Sequence, residues 1–155
     1  MDCAICHAEQ VEEYEISTHG TLFAKNDADA PSCQDCHAKH ATLDNDWPAS
    51  PTFPRNIPEL CGGCHREGEQ AAVRIDSAVD DIVGSYTMSI HGKGLMQSGL
   101  LVTATCTDCH GPHSQRPADD PESRVNAKNI SSTCGECHHG IEEEFRASIH
   151  WPEDG

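Results

Sequence analysis

The sequence predicts short α-helices joined by irregular loops, with little or no sheet, folded around something other than its own side chains. Three observations lead there. Only 36% of the 155 residues are apolar and seven are Phe, Trp or Tyr. A chain this polar buries too little surface to offset its conformational entropy. Residues 44–58, DNDWPASPTFPRNIP, carry four prolines and read as extended loop, and residues 111–129 are similar. The third observation is ten cysteines and eleven histidines, with every cysteine in a C-x-x-C-H unit.

The units are CAICH (Cys3, Cys6, His7), CQDCH (Cys33, Cys36, His37), CGGCH (Cys61, Cys64, His65), CTDCH (Cys106, Cys109, His110) and CGECH (Cys134, Cys137, His138). C-x-x-C-H is the attachment signature of c-type haem. Two thiols add to the two vinyl groups on one porphyrin edge, and two intervening residues let one tight turn present both sulfurs. The adjacent His then reaches the iron from one face. A lone C-x-x-C also fits a zinc knuckle, a redox dithiol or a disulfide. None of these needs His directly after each unit, and all five units have it. Five haem c groups also answer the core problem: the porphyrins are the core and the chain wraps them.

The length allows one domain or two small ones. No apolar run is long enough to span a membrane. A formal charge of −16 argues against nucleic acid, which needs a basic surface. It suits basic partners, or simple solubility. Cys3 stands almost at the start, where no leader is expected to fit, although covalent haem attachment requires export. The expectation is a periplasmic or extracellular protein whose signal was removed, or a segment of something longer.

Six histidines lie outside the C-x-x-C-H units. His19, His91 and His150 share aromatic-x-x-Ser-x-His, in YEISTH, YTMSIH and FRASIH. His40 and His113 share C-H-x-x-H, in CHAKH and CHGPH. His139 directly follows a proximal His and reads as a surface histidine. Five distal candidates thus match five haems. Met88 and Met96 are not needed as ligands and read as packing residues. A helical i, i+3 pair projects from one side, and three residues span at most about 10 Å. His40 and His113 therefore cannot reach the far face of the haem beside them and should serve a neighbour.

The motifs repeat. Cys3 to His19 and Cys134 to His150 are both 16 residues; Cys33 to Cys61 and Cys106 to Cys134 are both 28. RNIPELCGGCH and KNISSTCGECH place Asn-Ile at the same offset before Cys. The expected organisation is a two-haem module over residues 1–60, a second over 61–133 with a helical insertion, and a truncated one-haem module over 134–155. The insertion's Ile75, Val79, Ile82, Val83, Tyr86 and Ile90 follow helical spacing, predicting an amphipathic helix over about 69–83 with Gly84 as a stop. Short helices are expected over about 9–17 and 140–148, presenting His19 and His150. GLLVTATC is the one plausible strand. If each aromatic-Ser-His unit serves the motif that follows, His19 belongs to the Cys33 haem and His91 to the Cys106 haem. His150 then either closes a local haem or reaches outside the molecule.

YTMSIHGKGLMQSGLLVTATCTDCHGPHSQ and PESRVNAKNISSTCGECHHGIEEEFRASIH resemble the repeated modules of multihaem c-type cytochromes, loosely the cytochrome c3 family, over nearly the whole chain. The resemblance implies exported proteins that wrap bis-His haems and pass electrons, some of them as extracellular filaments. CHAKH departs mildly from the Gly-containing form, and SIHW has Trp where the pattern has Gly. The expected function is electron transfer through five six-coordinate haems, with no catalytic residue. The expected partners are redox proteins or terminal acceptors, or copies of the chain in a polymer. The alternative is a reductase domain with one five-coordinate catalytic haem, most readily that at Cys3 or Cys134.

Overall fold

The computed structural model describes residues 3–38, 42–75, 79 and 81–151, and among them there is helix, turn and loop but no strand. The expected fold class holds. The helices are α1 (Ala8–Glu15), α2 (Thr18–Ala24), α3 (Cys33–His37), α4 (Ile57–His65), α5 (Ile82–Met88), α6 (Ile90–Met96), α7 (Cys106–His110), α8 (Ile130–Gly135) and α9 (His139–Arg146). None exceeds nine residues, well short of what holds a helix together alone. The chain divides into two compact units, His19–Asp108 and Met1–Thr18 with Cys109–Gly155.

The chain packs little against itself. The buried hydrophobic residues are Ile57, Val83 and Leu95 among those described. They come from α4, α5 and α6, which pack in succession in the first unit. Met88 and Met96, expected as packing residues, are 65% and 41% exposed at or near helix ends.

Helices α1 and α9 fall where the sequence places them. Each begins directly after a C-x-x-C-H histidine, His7 or His138. Each ends in the same turn. The Ser17 N–H and hydroxyl both donate to the Tyr14 carbonyl at 3.0 and 2.7 Å, and those of Ser148 to the Phe145 carbonyl at 3.0 and 2.7 Å. The aromatic-x-x-Ser phrase is a helix stop.

The insertion differs from expectation. Residues 69–74 are turns rather than helix, residues 76–78 and 80 lie outside the described residues, and the helix starts only at Ile82. Asp81 explains the start, since its carboxylate accepts the Gly84 N–H at 2.8 Å and caps α5. Gly84 therefore sits inside the helix rather than stopping it. The turns fold back on the third motif instead, with the Ala71 and Ala72 N–H groups donating to the Cys64 carbonyl at 3.0 and 3.3 Å. Residues 99–105 of GLLVTATC are likewise turn and loop, with Val102 91% exposed. Among the described residues this apolar run has no strand to pair with.

Residues 32–65 and 105–138 repeat in hydrogen bonding as well as spacing. Asn56 Nδ2 donates to the Pro48 and Ser50 carbonyls at 3.1 and 2.8 Å; Asn129 Nδ2 donates to the Pro121 and Ser123 carbonyls, both at 2.8 Å. The Ser50 hydroxyl donates to Leu43 O at 3.3 Å and that of Ser123 to Arg116 O at 3.2 Å, both Ser being buried. The shared Asn-Ile is thus a staple that folds the preceding proline-containing loop onto the helix carrying the next cysteine.

Candidate haem sites

Each C-x-x-C-H unit lies on or beside a helical turn. Cys33–His37 and Cys106–His110 are α3 and α7, and Cys61–His65 closes α4. Cys3–Ile5 is a 3-10 turn, and the His7 N–H reaches the Cys3 carbonyl at 2.9 Å. The fifth repeats this, with the His138 N–H donating to the Cys134 carbonyl at 2.9 Å, at the end of α8. One turn puts residues three and four apart on one face, so two sulfurs and an imidazole share an edge. The described residues include all ten cysteines, none in a disulfide and all exposed or half-buried. Among the described residues no three His, Cys, Asp or Glu side chains converge on a metal ion by themselves. Paired thiols, adjacent imidazoles and uncovered apolar surface fit a covalent porphyrin.

Two of the turns carry a cap the sequence reading missed. Asp35 Oδ2 accepts the Ser32 N–H and hydroxyl at 2.8 and 2.6 Å, and Asp108 Oδ2 accepts those of Thr105 at 2.7 and 2.6 Å. Ser/Thr-C-x-Asp-C-H is the signal, a capping box laid over the haem motif.

The residue after the proximal His is a second such device. Gly111 has φ +82 and ends α7 in a left-handed backbone. Its counterpart Ala38 has φ 66 and ψ 153. The change from CHG to CHA is therefore not mild, because it puts a Cβ where only glycine sits without strain. The same residue breaks the helix between His110 and His113, so those two are not a helical i, i+3 pair. His40 lies outside the described residues.

In the unit His19–Asp108, His19 on α2 and His65 on α4 bring their ring centroids to 6.1 Å, tilted by 44°. Burial, then the neighbouring His65, lowers the pKa of His19; burial lowers that of His65. Both are thus biased towards the neutral form that ligates metal. Thiols converge here too. The Cys61 and Cys106 thiols are hydrogen-bonded to each other; that bond, burial and nearby thiols hold Cys61 far above the usual thiol range, while the same bond holds Cys106 below. Burial chiefly raises Cys36, with smaller contributions from Asp35, Cys33 and Cys64. His91 lies on α6, its carbonyl accepting from Thr103 Oγ1 at 3.4 Å.

In the other unit His113 Nδ1 lies 3.5 Å from the Glu13 carboxylate, so Nε2 is on the far side of the ring. His150 is exposed, in the turn after Ser148. Trp151 packs edge-on against Phe145 at 5.6 Å and beneath Arg146 at 4.5 Å. At Gly92 a Cβ would strike the Tyr86 carbonyl and the Thr87 backbone, where α6 crosses the end of α5. His139 is exposed beside Glu143 at 3.7 Å, a surface histidine as expected.

In sequence, the chain is similar to a multihaem cytochrome. The chain is 25% identical, over 137 residues, to the multiheme cytochrome MtrA of Shewanella baltica (strain OS185), a match covering 88% of this chain and 31% of that protein. It thus spans about a third of that relative's length. No protein-family model matches the chain, and no solved structure does.

Proposed function

We propose that this chain is a multihaem c-type cytochrome that carries electrons. The observation that supports it best is the presentation of five C-x-x-C-H units on or beside helical turns, each with two thiols and a His to hand. Cys3/Cys6, Cys33/Cys36, Cys61/Cys64, Cys106/Cys109 and Cys134/Cys137 would hold five haems. His7, His37, His65, His110 and His138 would be the proximal ligands, and His19, His40, His91, His113 and His150 the distal ones. Bound there, each haem supplies a one-electron iron centre. The chain's own part is to hold both axial positions with imidazole, keep substrates off the iron and bring porphyrin edges together. The meeting of Cys36, Cys61, Cys64 and Cys106 in one unit supports that closeness. Similarity to a multihaem cytochrome supports the same reading.

Covalent haem requires export, so the protein works in the periplasm or outside the cell, with redox proteins, terminal acceptors or copies of itself as partners. Intact-mass measurement of the exported protein tests the reading and should show five haem additions. Oxidised and reduced spectra should be low-spin throughout, unaltered by carbon monoxide. An unmodified mass would overturn the cytochrome reading. One haem that binds carbon monoxide and turns over an oxyanion substrate would replace the carrier with a reductase. Electron micrographs of the purified protein test for filaments.

A further inference from the structure

We propose that His19 and His65 are the two axial ligands of one iron, that of the porphyrin held by Cys61 and Cys64. This rests on the cytochrome reading above and specifies one of its sites. His65 ends the turn that carries Cys61 and Cys64, so the attachment chemistry assigns it to that iron. Two imidazoles on one metal, with metal–nitrogen bonds of about 2.0 Å, have ring centroids about 6 Å apart. His19 and His65 stand at 6.1 Å. Their 44° tilt is no obstacle, because each ring can turn about its own metal–nitrogen bond.

A second contact, independent of the rings, joins the segments that follow these two helices. The insertion after His65 hangs on the Cys64 carbonyl through Ala71 and Ala72, and Gln70 Nε2 lies 3.5 Å from the Cys64 sulfur. From there Arg74 reaches the loop just past α2. It pairs bidentately with Asp27 at 2.7 and 2.8 Å and with Asp29 at 2.8 Å. The extra residues of the second module thus clamp the arm of the first. His19 is held across from the third motif, skipping the Cys33 motif that follows it in the chain. Arg74 is a positioning residue in this arrangement.

The test uses the five-haem protein and two four-haem backgrounds, Cys61→Ser with Cys64→Ser and Cys33→Ser with Cys36→Ser. His19→Ala in the full protein should turn one haem in five high-spin and able to bind carbon monoxide, read by electron paramagnetic resonance and difference spectra per mole of haem. The same substitution should add one such haem in the Cys33/Cys36 background and none in the Cys61/Cys64 background. The reverse pattern, or five low-spin haems after His19→Ala, overturns the assignment. If one background fails to mature, the other decides alone, since the two readings predict opposite results in each. Failure of the cytochrome reading would appear earlier and differently, as wild-type protein without covalent haem.

Discussion

Ala38→Gly should stabilise the protein. At φ 66 and ψ 153, Ala38 occupies a backbone region open chiefly to glycine. Strain of that kind costs about 1–3 kcal/mol. Glycine removes it but frees the unfolded chain, returning about 0.4–1 kcal/mol. The net gain is about 0.5–2 kcal/mol, or about 2–6 °C in Tm for a chain of this size. The internal repeat supplies the control. Gly111→Ala places a Cβ at φ +82, where it also crowds Ser114 Oγ, and should cost about 1–3 kcal/mol. Urea midpoints of the holoprotein, followed by far-ultraviolet circular dichroism, measure both. An Ala38→Gly protein no more stable than wild type would refute the argument, most plainly if Gly111→Ala were also neutral.

Four further outcomes follow from the contacts above. Asp108→Ala leaves the N–H of a 4% exposed Thr105 without its acceptor, the hydroxyl keeping only Thr107 Oγ1 at 3.0 Å, and should cost about 2 kcal/mol. Asp35→Ala strips a more exposed cap and should cost about 1 kcal/mol, so urea melts giving the opposite order would contradict the capping account. Arg74 holds the Asp27 carboxyl at about 2 instead of 3.8, so that pair's stabilisation is full above pH 4 and fades as pH falls through 2. Protection of the amides of residues 71–75, taken relative to their intrinsic exchange rates, should fall over that interval in wild type, and should already be low at pH 6 in Arg74→Ala. Gly92→Ala forces a Cβ into the Tyr86 carbonyl and should cost about 1–3 kcal/mol by the same melts. Glu13→Gln removes the carboxylate facing His113 Nδ1 and weakens that imidazole as a donor. In the proposed role of His113 as an iron ligand, the potential of that iron should rise, on the order of tens of millivolts, and an unchanged spectroelectrochemical titration would speak against that role.

What could be read in the sequence is what short segments settle for themselves. C-x-x-C-H lies on or beside a helical turn because two thiols and a His three and four residues on need one. Helices α1 and α9 lie close to their expected bounds because a C-x-x-C-H histidine precedes each and an aromatic-x-x-Ser turn stops it. The Asn-Ile repeat was visible, though its purpose as a staple was not. The insertion misled because its helical periodicity runs through a stretch whose backbone is claimed by the Cys64 carbonyl at one end and the Asp81 cap at the other. Ala38 looked mild because letters carry no φ.

By itself, then, the sequence determined the number of haem motifs, the turns that present them and the supply of histidines. Only the tertiary structure decided that His19 stands beside His65, and that Arg74 ties the insertion to Asp27 and Asp29. The physical reason is reach. A turn can offer its own His to one face of a porphyrin, but three residues cannot carry a second His round to the other. Under the proposed two-imidazole ligation, the opposite face is filled by an element distant in sequence, and which element stands there is set by packing and ion pairs that no local pattern records.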